Sequence, residues 1–291
     1  MQAAIKFDEV LYDSLESLSL PDVYIRLREV MESENASMAD AAEVLSLDPA
    51  LAARILRMAN SAFYGFRSEV DTISRAANIL GMQKIHDLVL AASVSKTFEG
   101  MSNEFMDLDT FWYRSVHCAF LAKAIAEGAG MRNTESLFVR GLLHDIGHLV
   151  LFSHYPAECR QAMAQSDEGL DARLYEEHRL IGVDAMQFGA ELARVWQLPG
   201  AFVDSFQHLT RPEDVASNLA REIAVLHIAV QISSGIDTDL LIDEVIQRIR
   251  PPIWRLAELP PEVGAAALDA STMEMVDAMY LVLTQHDAAM T

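Results

Sequence analysis

A chain of 291 residues with 51% hydrophobic residues is long enough for one large or two modest domains and apolar enough for a sizeable core. Charged residues make up 22%, and Gly and Pro number only 13 and 9, which argues against long disordered linkers. With 43 acidic against 22 basic residues, the net charge of −21 at pH 7 disfavours nucleic acid and anionic lipid surfaces as partners and is most simply read as solubility.

Two cysteines, Cys118 and Cys159, do not make a disulfide framework, and their apolar helical surroundings suit a reducing cytoplasm. The N-terminal stretch carries early acidic residues and no long apolar run, so no signal peptide is expected. No uncharged apolar stretch approaches the length needed to span a bilayer. The expectation is a cytoplasmic protein.

Helical periodicity runs through the chain, and no alternating apolar–polar stretch flanked by hairpin turns interrupts it. Ser37 and Asp40 look like the opening of a helix carrying Ala41, Val44 and Leu45. Asp48 then caps a helix over 49–59 with Pro49 in its first turn. The next spans 72–80 and stops at Gly81, and another begins at Met82. The polar segment 95–110 marks a boundary, placing one helical subdomain at 1–104 and a second at 105–291.

Asp109 or Thr110 caps a long helix ending near Gly128 and Gly130. Helices are expected near 134–153, 156–165, 170–179, 182–196, 199–208 and 216–234. Pro251-Pro252 stops the DEVIQRIR run, and a last helix covers roughly 271–285. The fold class is all-α.

The segment Gly141-Leu142-Leu143-His144-Asp145-Ile146-Gly147-His148-Leu149 is the most informative. A His-Asp pair on an apolar helix is unusual, because a buried carboxylate is costly unless paired or bound to metal. This segment resembles the HD superfamily of metal-dependent phosphohydrolases. The stretch from Asp48-Pro49 through Asn60-Ser61-Ala62-Phe63-Tyr64-Gly65, together with Ile73 to Gly81, is similar to the HDOD family, the HD-related output domains. That resemblance covers roughly residues 20 to 235. It implies an HD-like helical bundle packed on an N-terminal helical part, in a bacterial signalling protein regarded as non-catalytic.

It also implies a metal set that this chain has lost in large part. The first ligand position holds Arg114, a permanent cation with no lone pair to give. His144 and Asp145 are kept, whereas the next histidine is Ala185 and the closing aspartate is Val230. His208 survives from a second set. The vestigial pocket is thus Arg114, His144, Asp145, Ala185, His208 and Val230, with no catalytic residue and no cofactor expected. A divalent metal on His144, Asp145 and His208 is the alternative. The Arg114 guanidinium is expected to neutralise Asp145 where a metal would have done so.

Other residues have plainer readings. His117, His148 and His227 lie beside apolar residues and read as structural, while His86, His154, His178 and His286 are expected at solvent or helix ends. The 60–65 stretch is either a recognition loop or a helix stop with inward-packed aromatics. The resemblance implies partners such as a kinase, a response regulator or a second-messenger enzyme. A phosphohydrolase or a nucleotide-binding receptor that keeps the old pocket are the alternatives.

Overall fold

The computed structural model describes residues 9–33, 37–60, 70–98, 108–132, 134–164, 169–216, 219–235 and 241–283. Among these the architecture is all-α, with no strand. Two compact units divide the chain: Met1–Ser19 with Gly100–Ser271, and Leu20–Glu99 with Thr272–Thr291. The first helix, α1 (Glu9–Ser17), belongs to the former.

The unit beginning at Leu20 contains α2 (Asp22–Glu32), α3 (Met38–Ser46), α4 (Pro49–Ala59), α5 (Ile73–Leu80) and α6 (Met82–Thr97). Local chemistry starts these helices where the sequence predicts. Ser37 and Asp40 form a reciprocal capping box at α3, and Asp48 Oδ1 accepts the Leu51 N–H at 3.0 Å at α4. Ile55, Ala59, Ile73 and Ala76 point inward from α4 and α5. Asn60 follows α4 and holds Val70 from both sides, donating to its carbonyl at 2.7 Å and accepting its N–H at 2.6 Å. The recognition-loop reading of 61–65 lies outside the described residues, as does the core of the expected boundary, 99–107.

His86 departs from expectation. It is buried at 5% exposure, takes the Tyr24 hydroxyl at 3.0 Å and lies 3.2 Å from Asp87 Oδ1. Apolar periodicity does not reveal such a pairing, because Tyr24 arrives from a distant helix. His154 and His178 are exposed as expected, and His286 lies outside the described residues.

The larger unit continues with α7 (Leu108–Gly128), α8 (Thr134–Leu143), α9 (Ile146–His154), α10 (Pro156–Met163), α11 (Leu170–Ile181), α12 (Ala185–Val195), α13 (Gly200–His208) and α14 (Leu219–Gly235). Then come α15 (Ile242–Arg248), α16 (Pro251–Ala257) and α17 (Glu262–Leu283), of which the residues up to Ser271 belong to this unit. Long α7 is the centre, with α8 and α14 against it. Phe120 meets Phe138 edge-to-face with centroids 5.2 Å apart. Arg140 is fully buried among apolar neighbours; its guanidinium bonds the Glu222 carboxylate of α14 and the Ser205 hydroxyl of α13 at 3.1 Å.

Three expected boundaries change. The single helix over 134–153 is two, broken at His144–Asp145, where Asp145 has a non-helical φ of −111° and ψ of 15°. Apolar residues continue in register on both sides, so periodicity conceals the break. Pro251-Pro252 does stop α15, but it also starts α16, since proline suits a first helical turn. The last helix begins at Glu262 rather than near 271. Among the described residues no helix is long and apolar enough to cross a membrane.

Candidate functional site

The His144–Asp145 turn joins α8 to α9, and three helices fix what surrounds it. α9 lies directly against α12 at Gly147, where a Cβ would fall 2.0 Å from the Ala185 carbonyl oxygen. Only glycine permits this approach. α11 contributes Leu170, Leu174 and Glu177 to the interior, so its buried face carries a carboxylate in line with two leucines.

Arg173, one turn before Glu177, makes a fork to Asp145. Its Nη2 donates to Oδ1 at 2.7 Å and its Nη1 to Oδ2 at 3.2 Å. Both side chains are largely buried, at 13% and 14% exposure. Arg173 Nε lies 3.4 Å from Glu177 Oε1, and Glu177 Oε2 accepts the Ala185 N–H at 2.9 Å. That N–H opens α12 and has no partner within its own helix. Oε1 is also 2.9 Å from His148 Nδ1. His144 donates from Nδ1 to the Gly141 carbonyl at 2.7 Å, and the Cys118 side chain lies beside it.

The charges follow from these neighbours. Burial alone would raise the Asp145 carboxyl; Arg173 first, then His148 and His144, overrule it and hold the pKa at about 2. Burial likewise opposes the Glu177 carboxylate, yet Arg173 and His148 keep its pKa below the ordinary value. For His144, burial favours the neutral ring, but Cys118, Asp145 and the Gly141 carbonyl outweigh it and raise the pKa to about 9. The Cys159 thiol of α10, fully buried beside Glu177, is pushed up by burial and by that carboxylate.

The guanidinium on Asp145 is therefore that of Arg173, not Arg114. Arg114 sits on the exposed side of α7, while its neighbours Ser115 and Val116 turn inward. Ala185 is buried and meets the network only through its backbone N–H; Val230 is buried on α14. His208 is half-buried at the end of α13. His117 and His227 are buried, and His227 donates from Nδ1 to the Leu209 carbonyl at 2.8 Å. Among the described residues no three His, Cys, Asp or Glu side chains converge as a metal-holding group.

The donors as placed do not fit the divalent ion of the HD pattern. Both Asp145 oxygens engage Arg173, Ala185 and Val230 bring no donor atom, and the Gly141 carbonyl on His144 Nδ1 leaves only the ring's Nε2, one donor where the pattern needs several. Sequence reasoning passed over Arg173 and Glu177. The signal was present in Leu170, Leu174 and Glu177: a carboxylate continuing an apolar stripe must have a partner inside.

Comparison with known proteins decides the family: the HDOD domain matches residues 18–212. The chain belongs to the HDOD family. A protein of Treponema pallidum (strain Nichols) described as uncharacterized is 24% identical over 221 residues, covering 74% of this chain but 42% of that relative. The chain thus spans less than half the length of that relative. A Shewanella amazonensis SB2B structure provisionally named a phosphohydrolase is 28% identical with a TM-score of 0.73, covering 94% of this chain and 98% of that one. An HDOD domain protein of unknown function from Geobacter sulfurreducens shares the fold at 21% identity and a TM-score of 0.74, covering 94% and 97% of the two chains. So does a Marinobacter aquaeolei VT8 protein provisionally named for signal transduction, at 20% identity and a TM-score of 0.70, covering 96% of this chain and 62% of that one.

Proposed function

We propose that this HDOD chain is a non-catalytic signalling module that binds a partner protein or small ligand and passes on a conformational change. The observation that carries the reading is the fork between Arg173 and Asp145. A guanidinium supplies the positive charge that an HD enzyme draws from metal, but it cannot lower the pKa of a bound water as a metal does. Kinases, response regulators and second-messenger enzymes are the partners that family membership suggests. A nucleotide is the small ligand suggested by the ancestral pocket.

The test is metal analysis of the purified full chain, followed by a phosphoester screen with Mn²⁺, Mg²⁺ and Fe²⁺. The expected result is no stoichiometric metal and no turnover. Turnover that disappears in His144→Ala or Asp145→Ala would overturn the reading. The name of the Shewanella amazonensis relative favours a second reading, a metal-dependent phosphohydrolase, and the same screen decides between them.

A further inference from the structure

α11 is bounded by two glycines with left-handed backbone, Gly169 at φ +108° and Gly182 at φ +91°. These are positions where a chain can turn without side-chain strain. Between them the helix packs mainly on α10 and only sparingly on α12. Its buried face sets Leu170 and Leu174 beside polar groups that reach the rest of the unit: Arg173 to Asp145, and Glu177 to the Ala185 N–H and toward His148. On its outer side Tyr175 is 68% exposed.

An attachment of this kind differs from a wholly apolar seam. Part of its strength lies in a few directional bonds in a low-dielectric setting, so breaking one weakens the others. Among the described residues the contacts beneath it are few. His148, 5% exposed, meets the helix where its Nδ1 approaches Glu177 Oε1 at 2.9 Å.

We propose that α11 is a latched lid over the His144–Asp145 turn, held shut by the Arg173–Asp145 fork and the Glu177 contacts, and that its opening is the conformational step of this module. As a signalling step the proposal rests on the non-catalytic reading above; the opening itself does not.

The two cysteines provide the test. Cys159 is fully buried on α10 beside Arg173 and Glu177, under α11. Cys118 is fully buried on α7 beside His144 and serves as the internal control for opening of the core. Thiol labelling of the full chain under native conditions, with each site followed by mass spectrometry, separates local from global opening. Cys159 should label at least about tenfold faster than Cys118, since local opening needs less free energy than unfolding. Arg173→Lys keeps the charge but loses the fork, and should speed Cys159 by about another tenfold with Cys118 unchanged. Asp145→Asn should act in the same direction. Equal rates at both cysteines, or variants that change neither or both together, would overturn the lid. Phosphoester turnover by the unmodified chain would instead defeat the non-catalytic reading and leave the labelling result standing.

Discussion

Glu177 Oε2 accepts the Ala185 N–H at 2.9 Å, so a side chain of α11 caps the first turn of α12. The same carboxylate offsets the Arg173 guanidinium. Glu177→Ala removes both and leaves a buried amide and cation short of a partner. The expected loss is about 3 kcal/mol, read as a shift in the urea midpoint of the full chain. Glu177→Gln, which still accepts from Ala185, should cost less.

Arg114 and Arg173 can be told apart by the same measurement. Arg114 is exposed, where solvent screens any charge pairing, and its replacement by Ala should change stability by no more than about 1 kcal/mol. Arg173→Ala strands Asp145 and Glu177 together and should cost about 3–5 kcal/mol. A larger effect at Arg114 than at Arg173 would contradict the assignment of the Asp145 partner.

Acid should weaken the fold in a window set by Asp145. Its pKa is about 2 against an ordinary 3.8, so the native state holds its proton less tightly than the unfolded chain does. The resulting stability, about 2 kcal/mol, is present above pH 4 and is lost as pH falls from about 4 to 2. His144 acts in the opposite sense. With its pKa raised from 6.5 to about 9, its contribution is complete below pH 6.5 and disappears as pH rises through 9. Denaturation midpoints across pH should show both declines, the acid one reduced in Asp145→Asn and the alkaline one in His144→Gln.

Gly147→Ala should be severely destabilising. The added methyl carbon would meet the Ala185 carbonyl at 2.0 Å and the Gly189 nitrogen at 2.7 Å, both main-chain atoms that cannot step aside. Separating α9 from α12 should cost about 3 kcal/mol or more, measurable as a fall in Tm.

Much of the helical frame is legible in the sequence because its signals are local. Ser37, Asp48, Thr72 and Gly81 act within three or four residues of themselves, and each stands at the helix end it announces. The break at His144–Asp145 is not legible, since Leu143 and Ile146 keep the apolar rhythm across it. The site is half legible. His144 and Asp145 identify themselves by their chemistry on an apolar background, but the partner of Asp145 comes from 28 residues away, on another helix. Arg114 attracts attention through its place in a family pattern, whereas position in space selects Arg173.

Arg140 has a consequence for descent. Enclosed by Glu222 and Ser205, it joins three helices through groups that none of them can lose singly without stranding the others. Across related chains these three positions should therefore vary as a set, and the substitutions tolerated together should be apolar residues of matching total volume.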